Sequence, residues 1–233
     1  AAFRSGGESR QARVHGKAGV GRRPDHAPHD RPRRGGVEEE PQGRRGPDGA
    51  PLPRPARNIL CVGKNYRDHV QEVQSIAAGG AAPSDALPPA PIFFTKATTT
   101  VIGPGEPIPA SGDPSQSVDY EGELAVVIGK PGRRIATANA MDHVAGYTLF
   151  MDGSVRDYQR HSFFAGKNFT GSGACGPWFV PAAEIADPHA LQLTTTVNGE
   201  LRQNASTGDM VFSIATVIAY LSAVLLLQSG DIV

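Results

Sequence analysis

Glu121 and Glu123, in the stretch VDYEGELAVVIGK, stand two residues apart where the chain turns fully apolar from Leu124 onward. Residues two apart on a strand share a face, so these carboxylates would sit about 6–7 Å apart and repel each other. A divalent cation between them would compensate that repulsion, and an all-oxygen donor set selects Mg2+, Mn2+ or Ca2+ over zinc. Asp152, closing the strand-like GYTLFMD, is placed to supply a third carboxylate. The same three residues also read as solvated rim charges, because a Glu-x-Glu pair is common.

Other residue types with chemical potential lie nearby in the chain. His69 and Glu72, in YRDHVQEV, are three apart and would share one face of a helix. A carboxylate bonded to an imidazole raises its basicity, which suits a base that activates water; an exposed ordinary pair is the alternative. Lys167, in AGKNF, could meet an oxyanion with its ammonium or be a surface lysine. The run GSGACG, residues 171–176, matches G-x-G-x-x-G, but Pro177 and Trp178 follow where a dinucleotide fold needs a helix, so it reads as a glycine-rich turn.

The elements that must position these residues are mostly strands. NILCVG, IFFTKA, YEGELAVVIG and GYTLFMD read as strands, and TTTVNGELRQ as a hairpin whose Asn198-Gly199 supplies the positive φ angles of a type I′ turn. YRDHVQEVQSIA and IATANAMDHV read as brief helical pieces, and GGAAPSDALPPAP and PGEPIPASGDPSQS as loops. Residues 211–227, VFSIATVIAYLSAVLLL, carry no charge but fall short of a bilayer span and run into the turn QSGD. A buried helix followed by a strand is expected there rather than a membrane anchor. Strands with short helices between them predict a β-rich α+β fold.

Composition sets the frame. Lys plus Arg and Asp plus Glu both number 23, so no net field points to nucleic acid or a membrane surface. The first fifty residues hold eleven basic and seven acidic side chains and no Leu, Ile, Met, Trp or Tyr. Such a segment cannot offset chain entropy by apolar burial, so residues 1–50 are expected to be a disordered Arg/Pro/Gly-rich tail. Its basic clusters permit weak nucleic-acid binding but lack interleaved aromatics. Arg, Pro, Gly and Ala are also what GC-rich DNA yields in a wrong frame, so a non-native tail is an alternative. Cys61 and Cys175, far apart, suit small buried hydrophobes in a reducing, cytoplasmic setting.

The ordered series CVGKNYRDH, YEGELAVVIGK, FMDGSVRDYQ, GKNFTGSGACGPW, VNGELRQ and SGDIV resembles the fumarylacetoacetate hydrolase family, in its branch of small acylpyruvase and 2-oxo-acid enzymes. The resemblance covers residues 51–233 and implies one catalytic domain of the family's C-terminal type, a mixed β-sandwich roll, usually a homodimer. It implies Mg2+ or Mn2+ held by Glu121, Glu123 and Asp152, substrate contacts from Arg156, Gln159 and Lys167, and a catalytic set of His69, Glu72 and Lys167 with the first two as a lid dyad. The implied activity is hydrolysis of a C–C bond in an acylpyruvate or fumarylpyruvate through a metal-stabilised enolate. An isomerase, hydratase or decarboxylase of aromatic catabolism on the same scaffold, or an inactive truncated remnant, is the alternative. The small-molecule partner would be a 2-oxo acid, with neither membrane nor nucleic acid implied.

Three departures qualify the resemblance. Gly153 follows the metal-site Asp where relatives carry an apolar residue, so a looser strand end is expected. RHSFFA, between Gln159 and Lys167, is about two residues short. The chain stops at GDIV, before a Thr-Gly-Thr-Pro segment, so the C-terminal part of the domain is expected to be missing.

Overall fold

The computed structural model describes residues 50–52, 54–77 and 86–233. The expectations for the tail up to residue 49, and for residues 78–85 of the first loop, lie outside the described residues. Ala50, which the sequence reading assigned to the tail, is buried against Ile59, Cys61 and Phe150.

A ribbon comes first. Strand β1 (Ile59–Gly63), helix α1 (Arg67–Ala77) and strand β2 (Ile92–Lys96) follow in order, with β1 and β2 antiparallel and Ile59 opposite Lys96. Next come β3 (Val101–Ile102), β4 (Val118–Asp119), β5 (Gly122–Ile128) and β6 (Val144–Asp152). The polar stretch after Asp152 folds as β7 (Ser154–Val155), α2 (Arg156–Gln159) and α3 (Phe163–Lys167), where the sequence showed no clear periodicity. The chain continues through β8 (Gly173–Cys175), β9 (Val180–Pro181), the hairpin β10 (Gln192–Val197) and β11 (Glu200–Ser206), and α4 (Ile214–Val224).

The central sheet has the order β3-β8-β6-β5, with β9 also on β6. It is mixed, because β3 and β8 run parallel while β5, β8 and β9 all pair antiparallel with β6. Period-two alternation divides β5 between two layers. Val126 and Ile128, with Tyr147 of β6, pack beneath Ile214, Val217, Ile218 and Leu221 of α4. Ala125, with Phe150 of β6, packs instead against Ile59, Cys61, Cys175 and Ile232. The β-rich α+β sandwich expected from sequence is the observed architecture.

The uncharged run 211–227 forms a capped helix of only eleven residues. Ser213 accepts a hydrogen bond from Thr216 N at its start, and buried Ser222 accepts one from Ile135 N. Among the described residues no helix is long and apolar enough to cross a membrane. The chain after it runs extended along the free edge of β5, with reciprocal bonds between Val126 and Val233 of 2.8 and 2.9 Å. Leu60 N also donates to Ile232 O at 2.9 Å, so this last segment ties the first ribbon to the central sheet. Arg57 clamps the preceding turn, donating from Nε to Asp231 Oδ1 at 2.9 Å.

One turn reading holds and the other differs in detail. The hairpin has φ of 54° at Asn198 and 82° at Gly199, as a type I′ turn requires. GSGACG is not only a turn: Gly173–Cys175 form β8, bounded by the positive-φ residues Gly171 and Gly176. The helix-like IATANAMDHV contains a seven-residue 3-10 run, Thr137–His143.

Both cysteines are free and buried. Burial pushes the Cys175 thiol from its usual 9.0 to about 12. Above pH 9 the unfolded chain therefore releases a proton that the folded chain keeps, and stability falls as pH rises toward 12. Chemical denaturation at a series of alkaline pH values should show a loss of a few kcal/mol in the wild type and a shallower slope in Cys175→Ala. Equal slopes would show that burial does not control this thiol.

Candidate metal centre

Glu121, Glu123 and Asp152 meet because of strand register. β5 begins at Gly122, opposite Met151, and Glu123 faces Phe150. Asp152 N donates to Glu121 O at 2.8 Å, which locks the end of β6 beside the mouth of β5. One carboxylate oxygen from each of the three residues lies within 4.8 Å of the others, closer than regular strand spacing alone suggests. Gly122 lets the opposite face close tightly: a Cβ there would overlap Thr195 Oγ1 on β10, and Gly122 N donates to Gln203 Oε1 of β11 at 2.8 Å.

Three basic side chains balance much of this charge. Lys167 Nζ pairs with Glu121 Oε2 and, at 2.6 Å, with Asp152 Oδ2. Arg156 reaches Glu121 Oε1 at 2.6 Å and Asp119 Oδ2 at 2.8 Å, and donates to Gln159 Oε1 at 3.0 Å. Lys96 Nζ lies 2.8 Å from Asp152 Oδ1. The repulsion that the sequence reading assigned to a cation alone is thus partly met by the protein's own ammonium and guanidinium groups.

The balance is uneven across the three carboxylates. Burial pushes Glu121 up, yet Lys167 and Arg156 outweigh it and hold the carboxyl below its usual range. Burial, followed by the charges of Asp152 and Glu121, pushes Glu123 well above that range. Glu123 makes no ion pair among the described residues. Lys167 is pulled down by burial but raised on balance by Asp152, Glu121 and Glu123, so it is an ammonium at neutral pH.

The residues fit a hard divalent cation. Asp152 Oδ1 is buried and meets the Lys96 ammonium outside hydrogen-bond geometry, Glu123 makes no ion pair among the described residues, and all donors are oxygens. Glu121, Glu123 and Asp152 would hold the ion.

His69 and Glu72 do share a face of α1, with Nδ1 3.6 Å from Oε2, and both are well exposed. Tyr66, just before α1, lies closer in. Its phenol, raised to about 12 by burial and then by Glu123, has a buried oxygen without a partner. Electrostatically, Glu72 reaches Tyr120, next to Glu121. Helix α1 therefore flanks the mouth of the site.

Lys96 went unnoticed in the sequence. It is wholly buried and donates to Gly153 O at 3.1 Å, Lys167 O at 2.5 Å and Ser172 Oγ at 3.0 Å. The available signal was its place two residues after Phe94, which puts a lysine on the inward face of a short apolar strand. Gly153, expected to loosen the strand end, instead permits a close approach: a Cβ there would overlap Ser172 O. The ring centre of Phe94 lies 4.9 Å from Lys167 Nζ, and the half-exposed Phe163 meets Phe94 at a tilt, with ring centres 6.1 Å apart.

Known proteins are similar to this chain in sequence and fold. The family profile described as "Fumarylacetoacetate (FAA) hydrolase C-terminal" matches residues 58–233. The oxaloacetate tautomerase YisK of Bacillus subtilis is 46% identical over 186 residues, covering 79% of this chain and 59% of the relative. The mitochondrial oxaloacetate tautomerase FAHD1 of Bos taurus is 43% identical, covering 76% of this chain and 77% of its own length. A solved fumarylacetoacetate hydrolase from Exiguobacterium antarcticum aligns with a TM-score of 0.65 and 40% identity, over 78% of this chain and 62% of that one. A 5-carboxymethyl-2-hydroxymuconate delta-isomerase from Mycobacterium smegmatis aligns with a TM-score of 0.64 and 35% identity, over 78% and 67%. The chain thus spans about three fifths of the length of the Bacillus relative.

Proposed function

Since the chain belongs to the fumarylacetoacetate hydrolase family, we propose that it is a divalent-metal-dependent enzyme of 2-oxo acids whose reaction is a proton shift beside the keto group. The convergence of Glu121, Glu123 and Asp152, with Lys167 at their edge, carries this reading. Relatives named as an oxaloacetate tautomerase and a delta-isomerase support a proton shift over bond cleavage.

Mg2+ or Mn2+ held by the three carboxylates would supply a Lewis acid for the substrate's carboxylate and keto oxygens. Lys167 would place its ammonium against the keto oxygen and stabilise the charge that grows there as a neighbouring carbon loses its proton. Arg156 and Gln159, bonded to each other, would orient the substrate carboxylate, with Asp119 and Glu121 fixing the Arg156 guanidinium in place. His69, with Glu72 behind it, would take and return the proton once α1 closes over the substrate.

Hydrolysis of an acylpyruvate or fumarylpyruvate, the first choice from sequence, is the second reading. The His69–Glu72 pair favours it, since the same base could activate water. A homodimer belongs to the same proposal and is checked by sedimentation.

Purified protein with Mg2+ should be given enol oxaloacetate, an unsaturated 2-oxo diacid and a panel of acylpyruvates. Metal-dependent loss of the enol absorbance is expected, reduced at least ~100-fold in Lys167→Met. Pyruvate release from acylpyruvates would select the hydrolytic reading. Turnover that is absent with every substrate, or that persists unchanged in EDTA, would overturn both.

A further inference from the structure

The ammonium of Lys96 carries three protons, and the structure offers three uncharged acceptors for them: Gly153 O, Lys167 O and Ser172 Oγ. Asp152 Oδ1 lies only 2.8 Å away yet has no hydrogen-bond partner. The ammonium therefore meets Oδ1 as an ion pair outside hydrogen-bond geometry, while its three hydrogen bonds go to the other acceptors. Lys167 takes the other oxygen, Oδ2, at 2.6 Å. The space around Lys96 is tight, since a Cβ on Gly173 would come within 3.1 Å of Lys96 Cε.

We propose that Lys96 is a positioning residue for the cation: it fixes the Asp152 carboxylate by charge while leaving Oδ1 open, and it sets Lys167 through the Lys167 carbonyl. This rests on reading Glu121, Glu123 and Asp152 as a cation site. A lysine whose protons are spent elsewhere holds a ligand that a freely donating one would block. Three segments, the end of β6, the end of α3 and the start of β8, converge on one nitrogen, so losing it displaces both Asp152 and Lys167. An arginine cannot substitute, because its larger planar fork does not fit a site packed this closely.

The test is calorimetric titration of Mn2+ alone into the full chain, well below the unfolding midpoint of each variant. Lys96→Met, close in volume but without charge or donors, should bind Mn2+ about tenfold or more weakly. Ser172→Ala removes one acceptor and frees a proton to turn onto Asp152 Oδ1, so it should weaken Mn2+ binding roughly three- to tenfold while the chain stays folded. A folded Lys96→Met that melts lower but binds Mn2+ as the wild type does would show a structural lysine only and overturn the inference. If Lys96→Met does not fold, Ser172→Ala decides, and affinity within about twofold of the wild type overturns it. A wild type that binds Mn2+ and turns over no 2-oxo acid refutes the proposed reaction and leaves the Lys96 assignment standing. A wild type that does not bind Mn2+ overturns both.

Discussion

Mn2+ should bind the Glu123→Gln variant at least ~100-fold more weakly than the wild type, while the metal-free variant melts a few degrees higher. The two signs have one cause. Glu123 is half-buried, faces the charges of Asp152 and Glu121, and has no ion pair of its own among the described residues. In the metal-free protein its charge is a burden, which a neutral amide of equal size relieves. With metal, the same charge is one of three donors, and an amide oxygen is a far weaker ligand for a hard cation. Sites that hold uncompensated charge for a ligand characteristically trade stability for function in this way. The measurements are Mn2+ titration and thermal unfolding in EDTA. Equal melting midpoints would mean that Glu123 is not strained without metal, and equal affinities would remove it from the donor set.

Gly122→Ala should unfold roughly 5–10 °C below the wild type, a destabilisation of about 2–3 kcal/mol. The added Cβ would overlap Thr195 Oγ1, and Gln203 Oε1, which accepts from Gly122 N, lies 3.3 Å from it. The hairpin β10–β11 would have to lift from β5 at the point where the carboxylates enter. Thr195 Oγ1 is itself buried without a partner, so Thr195→Ala alone should be neutral or mildly stabilising. The double variant Gly122→Ala/Thr195→Ala should recover most of the loss, because the nearest atoms left are Gln203 Oε1 at 3.3 Å, the far end of a side chain that can shift by a few tenths of an ångström, and Thr195 Cβ at an ordinary 3.6 Å. A double variant as unstable as Gly122→Ala would show that the hairpin does not bear on this glycine, and the purpose of the Glu-Gly-Glu spacing would need another account.

The carboxylates were legible because their information is local. Glu121, Gly122 and Glu123 announce a same-face pair by spacing alone, and Asp152 closes an unmistakable strand. The hairpin at Asn198-Gly199 was legible for the same reason, since a two-residue turn with two positive φ values admits few residue types. His69 and Glu72 were legible as a pair, but only the fold shows how exposed both are on α1. The stretch 153–167 offered no period to read, because its two short helices are held by contacts from elsewhere: Arg156 by Asp119 and Glu121, and Asn168, which follows α3, by Thr95 O.

What the sequence determined by itself was the inventory: three carboxylates, a lysine, an arginine, a glutamine and a histidine–glutamate pair, carried on a β-rich chain. Tertiary structure alone decided how their charges are shared. Lys96 lies 56 positions before Asp152 in the chain, and no periodicity links them; β2 and the start of β8 bring them together. Which carboxylate is neutralised and which is left strained depends on distances of a few ångströms between distant segments, because Coulomb energy in a buried site changes steeply over that range. Spacing along one strand carries no such information, and for that reason Glu121 and Glu123, equivalent as letters, are opposites in the folded protein.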